Sequence, residues 1–427
     1  MNPYAIAYVK GSLALDSRGS PTVKVTVKLD GGAAGVALAP SGASRGSREA
    51  LELRDGGLRW GGRGVGVAIA RVNEVIAPRL KGVDARMQDY VDGLLIALDG
   101  TPNKSRLGSN ATTAVSLAVA KAAATQLNLP LYRYLGGVGA RVLPVPLMNV
   151  INGGVHAGNE LSFQEFLIIP VGADSFREAL RIGVEVYVML KGYLRDRYGR
   201  SSVNVGDEGG FAPPMRFVEE ALDALVKAVE LSGYKLGSDV LLGVDVAASQ
   251  LYDSSRGVYR VNGGELSAGE LLDYYLDLVA RYQLAYIEDP FNEDDLESTA
   301  RLTSKLSTRT LVTGDDLYVS NVKYLTKGIE MKASNAAILK VNQVGTLTEA
   351  IDFARLALRN GLKVVVSHRS GDTEDTFIAD LAVALNTGLI KTGAPARGER
   401  TAKYNRLLEI EEELESTAEY PGVKVFR

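Results

Sequence analysis

The chain has no cysteine and only two histidines, His156 and His368, in 427 residues. Without cysteine there is no disulfide, no thiolate nucleophile and no sulfur-ligated metal. Two histidines exclude a histidine-rich metal centre, so a bound metal would be a hard cation held by carboxylate oxygens. An excess of one charge is missing too. Lys and Arg number 48 against 51 Asp and Glu, a net −3, and no bulk basic field invites nucleic acid. No stretch reaches the roughly 18 uninterrupted apolar residues of a membrane helix. The opening MNPYAIAYVKGS lacks the apolar core of a signal peptide. A soluble, cytoplasmic protein with no nucleic-acid or membrane partner is the expectation. The lack of cysteine also points towards thermal adaptation.

What is present is an ordinary globular composition, 46% hydrophobic and 23% charged, in a length comfortable for two domains. The 46 glycines gather in loops such as SGASRGS, NGGVHAG and GDEGG, as turn punctuation or where backbone must approach a ligand. TVKVTVKL (22–29) alternates as a half-buried strand, and helical stretches follow around 64–80 and 110–127, an α+β pattern. Glycines in LYRYLGGVGA punctuate the chain near residue 140, before VLPVPLMNVI opens a new apolar run.

From residue 240 a cadence sets in. The apolar runs LLGVD, AYIED, TLVTGDD, AAILK, VVVSH and GLIK carry Asp245, Glu288, Asp315, Lys340, His368 and Lys391 at or next to their ends. Successive intervals are 43, 27, 25, 28 and 23 residues. A β/α barrel takes about 250 residues for eight units, or about 31 each, and keeps its chemistry at the C-terminal ends of its strands. Apolar strands without alternation suit a parallel sheet covered on both faces. Amphipathic segments such as LTEAIDFARLALRNG (347–361) lie between them, with a glycine where the helix should stop. An open doubly wound sheet would give the same cadence.

The residue types at these ends belong together. Three unpaired acids, Asp245, Glu288 and Asp315, would repel and take up protons, whereas a divalent cation such as Mg²⁺ removes the conflict. Each acid alone reads more simply as a helix cap or a surface partner; three in successive units do not. A lysine near a metal and another lysine is pushed towards its neutral amine, a general base at pH 7. Lys340, which ends a buried strand at some cost, is the candidate base. Its plain alternative is a salt bridge to a metal-site carboxylate. Proton removal beside a carboxylate puts two negative charges on that group in the intermediate, which cations stabilise. Arg369 and Ser370, after His368, suit an anion site. Spacing leaves His156, Glu165 and Glu208 undecided.

DSRGSPTV (16–23), SGASRGSREALELRD (41–55), MNVINGGVHAGN (148–159), NVGDEGGFAP (204–213), IEDPF (287–291), GDDLYVSN (314–321), LKVNQVGTLTE (339–349), SHRSGDTEDTFIADL (367–381) and KTGAPARGER (391–400) carry a further signal. Through these motifs the chain resembles the enolase family over essentially its whole length. The resemblance implies an N-terminal α+β domain (1–138) supplying a mobile active-site loop. It also implies an enolase-type β/α barrel (139–427) that starts with two strands and two helices. The implied reaction is reversible dehydration of 2-phosphoglycerate to phosphoenolpyruvate. A lysine base beside Mg²⁺ is an established pairing in that superfamily, not a new assignment.

By resemblance, Lys340 is the base and Glu208 the acid, with Glu165 beside it and His368 in the same pocket. His156, Gln164, Arg369, Ser370 and Lys391 bind substrate, Arg369 and Ser370 at the phosphate and Lys391 at the carboxylate. Asp245, Glu288 and Asp315 hold one Mg²⁺, and Ser44 helps hold a second that arrives with substrate. Homodimers or rings of dimers are implied as well. Departures are Arg45 where the family usually has Thr, Asp372 for Glu in SGETEDT, and GSNATTAVSLA for GANAILGVSLA. Two rival readings are a superfamily relative acting on unphosphorylated sugar acids and a non-catalytic scaffold. The SHRSG cradle weighs against the first, and the retained Lys340, Glu208 and metal acids weigh against the second.

Overall fold

The computed structural model describes residues 2–43, 46–306 and 309–426. Ser44 and Arg45, singled out from the sequence, lie outside the described residues.

Strands β1 (Ile6–Leu15), β2 (Pro21–Leu29) and β3 (Ala34–Leu38) form an antiparallel sheet in that order. The alternation in 22–29 works as expected. Val23, Val25 and Val27 are wholly buried, under the helix Ser109–Gln126 that packs on β2 and β3. That helix is built of small residues, and Gly35 lets it close in: a Cβ at Gly35 would sit 2.1 Å from the Ala118 carbonyl oxygen. The helical stretch near 64–80 is found, but a π-helical segment, Arg71–Ile76, interrupts it. A further helix, Gln88–Asp99, gave no sequence signal that was read.

The second part closes into a barrel. β4 (Val145–Asn152), β5 (Glu165–Pro170) and β6 (Val240–Asp245) come first. A three-stranded excursion follows: β7 (Tyr252–Asp253), β8 (Val258–Val261) and β9 (Gly264–Leu266). The barrel then resumes with β10 (Leu284–Glu288), β11 (Leu311–Gly314), β12 (Ala336–Leu339), β13 (Lys363–Ser367) and β14 (Leu389–Lys391). The circuit runs β4-β5-β6-β10-β11-β12-β13-β14 and returns to β4. An open doubly wound sheet is therefore excluded.

Two strands and then two helices, Phe176–Tyr198 and Val218–Leu231, precede β6. β5 runs antiparallel to both its neighbours, while the other barrel pairs are parallel. Each strand from β10 to β14 is followed by a helix, and Leu347–Arg359 shows why one starts and stops where it does. The Thr346 hydroxyl accepts from the Glu349 amide at its start, and Gly361 takes φ +79° just after its end. Inside the barrel, Leu147, Leu167, Ile169, Ile338 and Val365 belong to one cluster of buried apolar side chains, a packed core and not a pore.

Candidate active site

The strand ends meet as the cadence requires. Asp245 and Glu288 close β6 and β10 and are register partners. Asp315, Lys340 and His368 follow β11, β12 and β13 by one residue, and Lys391 closes β14. Glu165 opens β5 rather than closing it. Because β5 is reversed, its first residue still lies at this mouth, paired with Asp245. Sequence spacing could not place Glu165 because nothing in EFLIIP announces a reversed strand. One pocket is lined by His156, Gln164, Glu165, Glu208, Asp245, Lys340, His368, Arg369, Ser370 and Lys391, with Ser367.

Lysines and acids interlock at its floor. The Lys391 ammonium donates to Asp245 Oδ2 at 2.8 Å and Glu288 Oε2 at 2.9 Å, and lies 3.1 Å from Glu165 Oε1. Lys340 donates to Asp315 Oδ2, and the Gln343 amide donates to Asp315 Oδ1 at 2.9 Å. Burial and the neighbouring Asp245 push Glu288 up to about 7, against the pull of Lys391. Burial pulls Lys340 down, yet the neighbouring carboxylates, Asp315 first and then Glu288, together hold the lysine above its ordinary value. With Asp315 as partner, then, Lys340 is an ammonium and not the neutral amine expected from the sequence.

These acids suit a hard cation. Glu288 Oε1 is buried with no hydrogen-bond partner among the described residues, a lone pair aimed at nothing. Oxygen donors on neighbouring strand ends are the chemistry Mg²⁺ prefers. Among the described residues, two groups bring candidate ligand atoms within 4.8 Å of one another: His156–Glu165–Glu208 and Asp289–Asp315–Asp316. The trio Asp245, Glu288 and Asp315 is not one of them, since Lys391 draws the first two and Lys340 the third. Asp289, missed from the sequence, takes φ +43° and accepts the amides of Asp315 and Asp316 at 2.8 Å each, which fixes that loop.

Beside Lys391 lies the Glu165–Glu208 pair. Burial and the charge of Glu208 push Glu165 well above the carboxylate range. Burial also pushes Glu208 up, but His156, Arg400 and Lys391 hold it well below that range. One proton shared by the pair therefore rests on Glu165. Glu208 accepts from Asn149 Nδ2 at 2.9 Å, and its oxygens lie 3.6 Å from His156 Nδ1 and 3.7 Å from His368 Nε2.

At the anion end, Arg369 makes a two-pronged ion pair with Glu49, both contacts 3.0 Å. Ser370 Oγ accepts from the Ala43 amide at 2.6 Å, and Ser41 and Gly371 exchange backbone bonds. The glycine-bearing loop of the first part is thus docked on the predicted phosphate donors. Glu49 and Arg400 escaped the sequence reading; a buried acid facing an arginine across 320 residues leaves no local pattern.

Comparison with known proteins agrees with the motifs. The family model described as Enolase, N-terminal domain, matches residues 6–135, and Enolase, C-terminal TIM barrel domain, matches 140–427. The chain is similar to the enolase of Aeropyrum pernix, 61% identical over 422 residues, covering 99% of this chain and 97% of that protein. It is 59% identical to the enolase of Pyrococcus furiosus over 426 residues, 100% of this chain and 99% of the other. It is likewise 59% identical to that of Methanocaldococcus jannaschii over 408 residues, 96% and 95% of the two chains.

Proposed function

Given that the chain belongs to the enolase family, the lyases that interconvert 2-phospho-D-glycerate and phosphoenolpyruvate in glycolysis and gluconeogenesis, we propose that Lys340 and Glu208 divide the two halves of that reaction. Lys340 takes the proton from C2 of the substrate onto Nζ. Glu208 gives a proton to the C3 hydroxyl, which leaves as water as the C2–C3 double bond forms. The observation that carries this reading is the shared pocket, in which the strand-end amine and the carboxylate pair both reach the cavity.

Lys340 must first give up its proton. Once the Asp315 carboxylate is engaged elsewhere, burial together with Arg369 and Lys391 pushes the amine towards its neutral form. The proton resting on Glu165 supplies Glu208 within the pair. Arg369 and Ser370 exchange Glu49 and Ala43 for the substrate phosphate, and Lys391, near the acids, faces its carboxylate. Gln164 and His156 line the reacting end.

Members of the family use Mg²⁺, and acidic groups of this chain could hold it. Asp245, Glu288 and Asp315 are the residues assigned to it, where its charge would offset that building on the substrate carboxylate. A second ion arriving with substrate, with Ser44 as a ligand, belongs to the same reading. So do a division into an α+β domain over 1–138 and a barrel over 139–427, homodimers or rings of dimers, and a cytoplasmic location. No helix among the described residues is long and apolar enough to cross a membrane.

The test is direct. Purified protein with Mg²⁺ and 2-phosphoglycerate should generate the ultraviolet absorbance of the enol phosphate, and a flat trace would refute the assignment.

A further inference from the structure

Arg400 sits in the first turn of the helix Gly398–Leu414 with no exposed surface. Its guanidinium is pinned by three backbone carbonyls: Nη1 donates to Arg369 O at 2.6 Å, and Nη2 to Ser370 O at 2.8 Å and Asp207 O at 3.0 Å. The same Nη1 lies 2.6 Å from His368 Nδ1. Guanidinium carries donors only and keeps its proton in proteins, so Nδ1 is the acceptor. An accepting ring nitrogen bears no hydrogen, and the neutral imidazole must then carry its hydrogen on Nε2.

Nε2 is buried, lacks a partner among the described residues, and belongs to a ring that lines the pocket. It stands 3.7 Å from Glu208 Oε2. Burial, with Arg400 and Lys391, holds the ring well below its ordinary pKa against Glu208 and Asp372, so the neutral form prevails. The packing leaves little room for another arrangement. At Gly393 a Cβ would meet the Glu208 carbonyl at 2.7 Å, Arg400 Cδ at 2.9 Å and His368 Cε1 at 3.2 Å.

We propose that Arg400 is a positioning residue that fixes His368 in its Nε2–H tautomer, so that the ring offers the pocket a hydrogen-bond donor beside Glu208. In the opposite tautomer the Nε2 lone pair would face the Glu208 carboxylate and repel it. As held, the N–H can serve an oxygen at that end, either the Glu208 carboxylate or the departing hydroxyl. The catalytic weight of this device rests on the reading of Glu208 as the acid; the tautomer itself does not.

The scarcity of histidine makes the test clean. Full-length protein with Mg²⁺, labelled with ¹⁵N in its histidine rings, should give two ring patterns in a long-range proton–nitrogen correlation spectrum, with His156→Gln assigning them. His368 should show a bare Nδ1 and a protonated Nε2 across neutral pH. Arg400→Met should shift that pattern towards Nδ1–H, and Arg400→Lys, which keeps a cationic donor, should preserve part of it. Turnover in Arg400→Met should fall about ten-fold or more with KM within about two-fold, the sign of a loss felt in the transition state. An Nδ1–H pattern for His368 in the unaltered protein would overturn the proposal, and that measurement needs no variant to fold. So would an unmoved pattern in Arg400→Met. A tautomer that moves while kcat holds would overturn the positioning role of Arg400 in turnover.

Discussion

The Lys340 ammonium and the Asp315 carboxylate are paired across the ends of neighbouring strands, with both side chains nearly buried. The pair makes the predicted base and a predicted metal ligand rivals for one another. Lys340→Ala removes the base and also frees Asp315. Turnover should fall by at least about 10²–10⁴-fold, the usual worth of a positioned base, while Mg²⁺ measured by calorimetry binds no more weakly than before. Retained turnover would remove Lys340 from the mechanism.

Glu208→Gln keeps the shape that receives Asn149 but has no proton to give the leaving hydroxyl. If Lys340 takes the proton separately from Glu208, exchange of the substrate α-proton with solvent deuterium should continue while phosphoenolpyruvate ceases to form. Nuclear magnetic resonance of the recovered substrate distinguishes the two. Loss of exchange along with turnover would mean that acid and base are not separate groups.

The sequence exposed those parts of the site that come from repetition. Apolar parallel strands covered on both faces leave a hard-edged pattern, and Asp245, Glu288, Asp315, Lys340, His368 and Lys391 stood out against it. Glu165 did not, because a reversed strand presents its first residue where the others present their last. Glu49 and Arg400 did not either. Each acts on a group already chosen, Glu49 on Arg369 across 320 residues and Arg400 on His368 across 32, and such pairing has no period. The electrostatic state of Lys340 was hidden for the same reason, being set by the atom beside it and not by the company of the motif.

Tyr318, in the loop that carries Asp315, offers a pH test. Its ring is wholly buried against Gly328, where a Cβ would lie 2.3 Å from a ring carbon. Ser334 Oγ spends its hydrogen on the Ala336 carbonyl, so the Tyr318 hydroxyl donates to Ser334 at 2.7 Å. Burial pushes this phenol up to about 12. A raised native pKa means that the stability it contributes is complete below the unfolded value of about 10 and is lost as pH rises towards about 12. Tyr318→Phe should cost about 1 kcal/mol at neutral pH. The gap to the unaltered protein in urea unfolding should shrink as pH is raised past about 10. A gap that stays constant would show the phenol to be titrating normally.

Lys391 pairs with Asp245 and Glu288 and lies against Glu165, from a position with almost no exposed surface. Removing one partner of a buried ion pair leaves uncompensated charge and costs about 3–5 kcal/mol. Lys391→Met should therefore be destabilised most in a chelator, where nothing offsets Asp245 and Glu288. Added Mg²⁺ should recover much of the loss, because a ligand that binds only the native state stabilises it. The measurement is the unfolding midpoint of both proteins with excess Mg²⁺ and with chelator. The spread between the two conditions should be wider in the variant than in the unaltered chain, and turnover should fall with the loss of the carboxylate contact. Equal destabilisation in both conditions would mean that these acids do not share a cation, and the metal assignment to Asp245 and Glu288 would fail with it.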